Sequence, residues 1–268
     1  MGKRPKKKIV LFLVEGKSDR EALQIAISKL YEKFDENTRV EFSTIYHKDT
    51  EKRGGDITTT KYTDKRGKKK WVSPENIEDA IYLLFLEKFF DEKKIMPKDI
   101  SEVIQIVDLD GAYVPDDCIL LDSKLSEDDA PFYTNSSINC LDVEKMVLRN
   151  KYKRENLNDL CARTTIKIKT QTKPYSIYFF SSNLDHFLHH KANLDNRQKV
   201  ALADTFSNGF IVDEDVEGFV RFFTEDPDAI TGLTYDESWA FIKSGTNSLA
   251  RHTNFNILLN KLFIGVVK

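Results

Sequence analysis

Cysteine is scarce in this chain: Cys118, Cys140 and Cys161 are the only three among 268 residues. None stands in a CxxC pair or other metal-ligand spacing, which argues against a zinc ribbon and a disulfide framework, and free thiols suit a reducing cytoplasm. Long apolar runs are missing too. The run Ile9 to Val14 breaks at Glu15, too short for a secretory core, and no later stretch reaches the roughly 20 residues of a membrane span. A soluble, cytoplasmic protein with no membrane association is expected. An excess of one charge is also absent: 41 Lys and Arg stand against 43 Asp and Glu. That balance excludes coating of nucleic acid by bulk charge and leaves a local basic groove open. What is present is a 40% hydrophobic fraction with 18 Phe and 10 Tyr, enough for one large α/β domain and against disorder throughout.

Ile9 to Val14 (IVLFLV) is a continuous apolar run, the pattern of a buried parallel strand. Ser18 with Glu21 three residues on reads as a capping box, and Ala22, Leu23, Ile25, Ala26, Leu30 and Phe34 recur close to helical spacing. Arg39 to Tyr46 alternates as a strand. A polar stretch over 47–72 follows, in which Lys48 to Lys70 carries nine Lys and Arg against four acids. It reads as a loop or hairpin insertion. Ser73-Pro74-Glu75 predicts a helix start and a helix to about Lys94. Glu102 to Val107 (EVIQIV) and Ser176 to Phe180 (SIYFF) are further strands, separated by an acidic loop over 112–138 and a helix from Leu141 to Tyr152. From Leu184 onward the period is helical. With no repeat and no clear linker, the expected organisation is a basic tail (1–8), a mostly parallel α/β core (9–183) and a helical C-terminal part packed on it (184–268).

Two acidic motifs follow predicted parallel strands: Val14-Glu15-Gly16-Lys17-Ser18-Asp19 and Val107-Asp108-Leu109-Asp110-Gly111. Ligands of open α/β sheets bind beyond the carboxyl ends of the strands, so neighbouring strands there bring three or four carboxylates together. Such a cluster shifts its own pKa values upward or binds a hard cation, and Mg²⁺ accepts a few carboxylates together with waters and substrate phosphate. If strand geometry continues, Asp108 and Asp110 point to the same side. The bland alternative is a flavodoxin-like sheet with acidic loops and no metal. A receiver domain fits less well, because it needs paired acids directly after its first strand.

VEGKSD followed by IVDLDG resembles the Toprim domain of topoisomerases, bacterial primases, an RNA-maturation nuclease and OLD-family nucleases. The resemblance implies a Rossmann-like, mostly parallel sheet, Glu15 as general acid/base or metal ligand, Asp108 and Asp110 as metal ligands, and Asp19 as a supporting ligand, around one or two Mg²⁺ or Mn²⁺ ions. Three further segments resemble the RloB/AbiL-like group of phage-defence Toprim proteins: Gly55-Asp56-Ile57-Thr58, Ser182 to His190, and Arg251-His252-Thr253-Asn254. They imply an endonuclease effector of an abortive-infection system with an ATPase partner, and Asp185 as a further metal ligand. The last segment but one departs from the group's pattern, since Asp185 stands where a glutamate is expected and Pro-Cys is absent.

Nucleic acid, DNA or RNA, is the expected substrate. Lys17, Lys65, Arg66, Lys68, Lys69, Lys70 and Lys191 are the candidate phosphate contacts, with Tyr62 and Trp71 interleaved in the basic stretch. A homodimer is compatible with cutting both strands. His186, His189 and His190 lack the HExxH pattern of a zinc site. A topoisomerase needs a large gate domain and a primase normally adds a zinc module, so neither fits this chain. The alternatives are a Toprim-like subunit that binds or regulates without cutting and an RNA-maturation nuclease.

Overall fold

The computed structural model describes residues 8–210 and 215–264. Of the expected basic tail, only Lys8 lies within the described residues. Strand β1 (Lys8–Val14) leads into α1 (Lys17–Phe34) and β2 (Thr38–Thr44). The basic stretch forms two short hairpins, β3 (Tyr46–His47) with β4 (Lys52–Arg53), and β5 (Lys61–Thr63) with β6 (Lys69–Trp71). Helix α2 (Ile77–Ile81) then runs through a wide π turn (Tyr82–Leu86) into α3 (Glu87–Lys93). In that π turn the Phe85 carbonyl accepts a hydrogen bond from the Ser43 hydroxyl at 2.6 Å. Strand β7 (Ile100–Asp108) follows. The acidic region holds a small sheet of β8 (Ile119–Leu121), β9 (Phe132–Tyr133) and β10 (Ile138–Cys140), so it is more structured than the expected loop. Helix α4 (Val143–Ala162), the edge strand β11 (Thr165–Ile168) and β12 (Gln171–Phe180) complete the core. The chain continues through α5 (Leu184–His189), α6 (Asn196–Asn208), α7 (Asp215–Thr224), α8 (Tyr235–Ile242) and α9 (Phe255–Ile264).

The central sheet has the order β11-β12-β7-β1-β2. Its three pairings from β12 to β2 are parallel, and only β11 runs antiparallel, against β12. Alternation along each strand feeds two cores. On β1, Ile9, Leu11 and Leu13 face α2, the π turn, α3, α4 and α8, while Val10, Phe12 and Val14 face α1, α5, α6, α7 and α9. A parallel sheet must be covered on both faces, which is why its strands read as unbroken apolar runs. The C-terminal helices belong to this arrangement. Phe180, Phe187, Phe219, Phe223 and Phe255 are fully buried among one another, and each contributes about 2–3 kcal/mol through apolar burial.

Two helix starts differ from the sequence expectation. The backbone is extended at Gly16 and the α1 box is closed by Asp19, whose carboxylate accepts the Gly16 N–H at 2.8 Å, not by Ser18 with Glu21. Glu21 instead meets Lys17 at 3.1 Å. The helix thus begins directly after Glu15 and carries Asp19 to the strand end. Likewise Ser73-Pro74-Glu75 forms a turn, and the helix opens after Asn76, whose side chain accepts the Ser73 N–H at 3.1 Å. Helix α4 is also ten residues longer at its C-terminal end than its apolar pattern suggests, reaching Ala162 rather than Tyr152.

Arg251 to Asn254 ties the helical part to the sheet. Thr253 bridges to Phe180 and to Ala229, and Asn254 accepts the Phe179 N–H at 2.9 Å. The Arg251 guanidinium, 8% exposed, binds Asp226 and Asp228 at 2.6 Å each and stacks over the Phe187 ring. Among the described residues no helix is long and apolar enough to cross a membrane.

Candidate functional site

The connections that leave β1 and β7 cover opposite faces of the sheet: α1, after β1, lies on one face, and α4, on the way from β7 to β12, on the other. The crevice between the carboxyl ends of β1 and β7 is therefore a topological switch point, where loops part and ligands bind. Glu15 follows β1, Asp108 ends β7, and Asp19 lies on the first turn of α1.

The two aspartates of the DLD segment do not point the same way. Asp110 adopts φ 47° and Gly111 φ 65°, so the strand stops at Asp108 and the chain turns sharply. Asp108 faces the start of α5, where its Oδ1 accepts the Leu184 N–H at 2.9 Å. Asp110 swings to α4, and its Oδ2 receives Lys153 Nζ at 2.7 Å and Arg149 Nη2 at 2.8 Å. The left-handed turn is the physical reason that the strand-based expectation fails. A Cβ added at Gly111 would lie 2.5 Å from Leu249 Cδ2. Gly111→Ala is accordingly expected to cost about 1–2 kcal/mol from the positive φ alone, measured as a lowered urea midpoint with an unchanged slope.

The carboxylates form a row with a cation at each end. Lys153, fully buried, bridges Asp110 and Asp56 at 2.7 and 2.8 Å. Asp56 also accepts the Thr58 N–H at 2.7 Å and the Thr59 hydroxyl at 2.9 Å. At the other end Lys199 of α6 meets Asp185 at 3.3 Å. Burial first, and then the charges of Asp56, Asp108 and Asp110, push the Glu15 carboxyl well above its ordinary range against the pull of Lys153. Burial, Asp19 and Asp110 do the same to Asp108. Asp19 is raised by burial and by Asp185, and is partly relieved by the Gly16 N–H and Lys199. For Asp56 the upward push of burial is outweighed by Lys153 and by its hydrogen bonds, which hold it below the ordinary value. Both ammonium groups gain from the acids more than burial takes away: Asp110, Asp56 and Glu15 raise Lys153, and Asp185, Asp108 and Asp19 raise Lys199.

Glu15, Asp19, Asp108, Asp110 and Asp185 thus share one region, as their sequence positions suggest. The other candidates distribute differently. Lys17 is exposed beside Glu21, Lys65 lies over the Tyr82 ring, Lys69 meets Asp49 at 2.9 Å and Lys70 meets Asp64 at 2.7 Å. Arg66 and Lys68 are exposed on the β5–β6 turn, and Lys191 is exposed just past α5. The lysine set against the acids is Lys199, not Lys191. His186 faces Arg251 and Asp228, away from the acid row. Sequence reasoning also passes over Asp56, Arg149 and Lys153. One signal was available for Lys153. Met146, Asn150, Lys153, Leu157 and Leu160 repeat at helical spacing, so the lysine sits in the buried stripe of α4.

Among the described residues no group of three or more His, Cys, Asp and Glu side chains comes together in an arrangement that could hold a metal ion. The donor chemistry nonetheless fits a hard cation. Glu15 Oε1 is enclosed and has no hydrogen-bond partner, and neither has Ser182 Oγ in the loop after β12. Enclosed carboxylate oxygens of this kind are what Mg²⁺ and Mn²⁺ accept as ligands. Compared with protein-family models, curated proteins and solved structures, the chain matches none of them.

Proposed function

We propose that this protein is a Toprim-type, Mg²⁺- or Mn²⁺-dependent nuclease. The observation that supports this best is the row of Glu15, Asp108, Asp19 and Asp185 at the switch point of a mostly parallel sheet, with an unpartnered, enclosed oxygen on Glu15. Glu15, Asp19, Asp108 and Asp185 would hold the cation. Bound there, a divalent ion supplies charge neutralisation at a scissile phosphate. The chain's own groups do the rest. Glu15 is placed to take a proton from an attacking water. Lys153 and Arg149 fix Asp110 and keep the cluster from repelling itself apart. Lys199 sets a positive charge beside the acids where phosphate oxygens approach. The narrower reading, a cytoplasmic phage-defence effector working with an ATPase, rests on the three segments that resemble RloB/AbiL-like proteins.

A second reading, a Toprim-like subunit that binds nucleic acid without cutting it, draws on one observation: Asp110 Oδ2 is already taken by two side-chain cations. Incubation of the full chain with plasmid DNA and with total cellular RNA, in Mg²⁺, Mn²⁺ or EDTA, separates the two. Cutting in either metal and none in EDTA is the expected result. A metal-dependent rise in melting temperature without cutting supports a nuclease that awaits its ATPase partner. Absence of both cutting and a thermal shift supports the binding subunit, because an ion that binds only the folded state must stabilise it by mass action.

A further inference from the structure

A pair of exposed aromatic rings stands beside the acid row on the same framework. Trp71, at the end of β6, is 56% exposed, and Tyr152 of α4 is 42% exposed. Their centroids lie 6.4 Å apart and their planes within 21° of parallel. Lys61, the cross-strand partner of Trp71, holds its ammonium 4.5 Å from the indole centroid. Tyr62, the other aromatic of this hairpin, is 4% exposed and belongs to the core. Trp71 borders a cleft of about 400 Å³ that is also lined by His47, Asp49, Thr59, Lys61 and Lys69.

This surface is locked in register with the acids. Tyr152 directly precedes Lys153, the residue that bridges Asp56 and Asp110. Arg149, which also binds Asp110, lies three residues from Tyr152 and so neighbours it on the helix surface. Asn156 of the same helix donates to Thr58 O at 2.7 Å and to Val72 O at 3.2 Å, pinning both ends of the β5–β6 hairpin. Two large rings left in water need a reason. Here Trp71 directly follows a stretch, Lys48 to Lys70, that carries nine Lys and Arg against four acids while the whole chain is nearly neutral, and Tyr152 packs on it from α4. A polyanion with planar apolar faces is the ligand that complements both features.

Resting on the nuclease reading, we infer that Trp71 and Tyr152 form a stacking platform that selects unpaired nucleotides, so that the substrate is single-stranded nucleic acid or an unpaired loop. A duplex buries its base faces within the stack and offers a platform only its phosphates. An unpaired base offers its full π face, and stacking is tolerant of which base it is. Lys61 sits on the indole and is positioned to contact the phosphate beside a stacked base.

The test is binding of the full chain in EDTA, where cutting does not contribute, to a fluorescein-labelled 12-nucleotide RNA, to the DNA of the same sequence and to the corresponding duplex. The single strand is expected to bind at least about tenfold more tightly than the duplex. Trp71→Ala is expected to weaken single-strand binding by roughly tenfold and to leave the duplex unaffected. Because Trp71 is exposed, the melting temperature should not change. The second tryptophan, Trp239, is buried, so the single strand should quench indole emission in the native chain and not in Trp71→Phe. Whichever polymer binds more tightly names the source of the unpaired bases. Duplex binding as tight as single-strand binding, or a Trp71→Ala variant that binds as the native chain does, overturns the platform. Since no step requires cleavage, failure of the nuclease reading shows only in the metal-dependent assay.

Discussion

Asp108→Asn is expected to lower metal-dependent cleavage by about a thousandfold while leaving the fold at least as stable as before. The amide keeps an oxygen where the Leu184 N–H donates at 2.9 Å, and it keeps the shape of the side chain. It removes the charge that sits among Asp19 and Asp110. That charge is unfavourable in the cation-free protein, because burial and like-charged neighbours both oppose it. Neutralising it should therefore hold or raise the melting temperature in EDTA. With Mg²⁺ the order reverses. The native chain gains stability by mass action, about 2.7 kcal/mol at a hundred times the dissociation constant, and the variant gains much less. Loss of a cation ligand removes several kcal/mol of charge stabilisation from the transition state, and about 1.36 kcal/mol is a decade in rate. Cleavage assays and thermal melts with and without Mg²⁺ check both halves. A variant that cuts as fast as the native chain would remove Asp108 from the site. A variant that unfolds in EDTA would show that Asp108 is structural.

Much of this site is legible in sequence because the residues that build it follow strong local signals. IVLFLV and EVIQIV can only be strands covered on both sides, and an acid directly after such a strand is carried to the ligand-binding edge whatever the helices do. The bent DLD segment is less legible. Leu109 continues the apolar pattern of β7, and nothing local announces φ 47° at Asp110. Only Gly111, whose Cβ would meet Leu249 from near the end of the chain, explains the turn, and that contact is long-range. Asp56 reads as one polar residue in a basic stretch, because its partner Lys153 lies 97 residues away. The edge strand β11 is hidden for a different reason. Its partner segment on β12 contains Lys173 and Pro174, residues that a central strand avoids and an edge pairing accepts. The C-terminal helices are readable as a helical part packed on the core, but the residues that attach them are not. Their attachment depends on Thr253 and Asn254, polar residues whose burial no periodicity predicts.

Lys153→Met should be the most damaging single substitution for stability in this region. The methionine fills nearly the same volume, so the effect is electrostatic and not that of a cavity. It strands Asp56 and Asp110, each of which loses a hydrogen bond of 2.7 to 2.8 Å to a fully buried ammonium, and it deprives Glu15 of its compensating charge. Breaking a buried ion pair from one side typically costs about 3–5 kcal/mol, since the partner charge stays behind without compensation. For a chain of this size that is roughly a 10 °C fall in melting temperature. Two features separate this account from simple misfolding. Asp56→Asn added to Lys153→Met should recover part of the loss, because one of the stranded carboxylates is gone. Mg²⁺ should stabilise Lys153→Met more than it stabilises the native chain, because the cation then replaces an internal charge as well as binding the acids. The hairpins should loosen at the same time, since Asp56 shares with the Asn156 amide the task of tying their base to α4, and amide exchange over residues 54–72 should quicken. A melting temperature within about 1 °C of native would mean that the ammonium is dispensable. The acid row would then have to be held by Arg149, Lys199 and its backbone hydrogen bonds, from Gly16 to Asp19, Thr58 to Asp56 and Leu184 to Asp108.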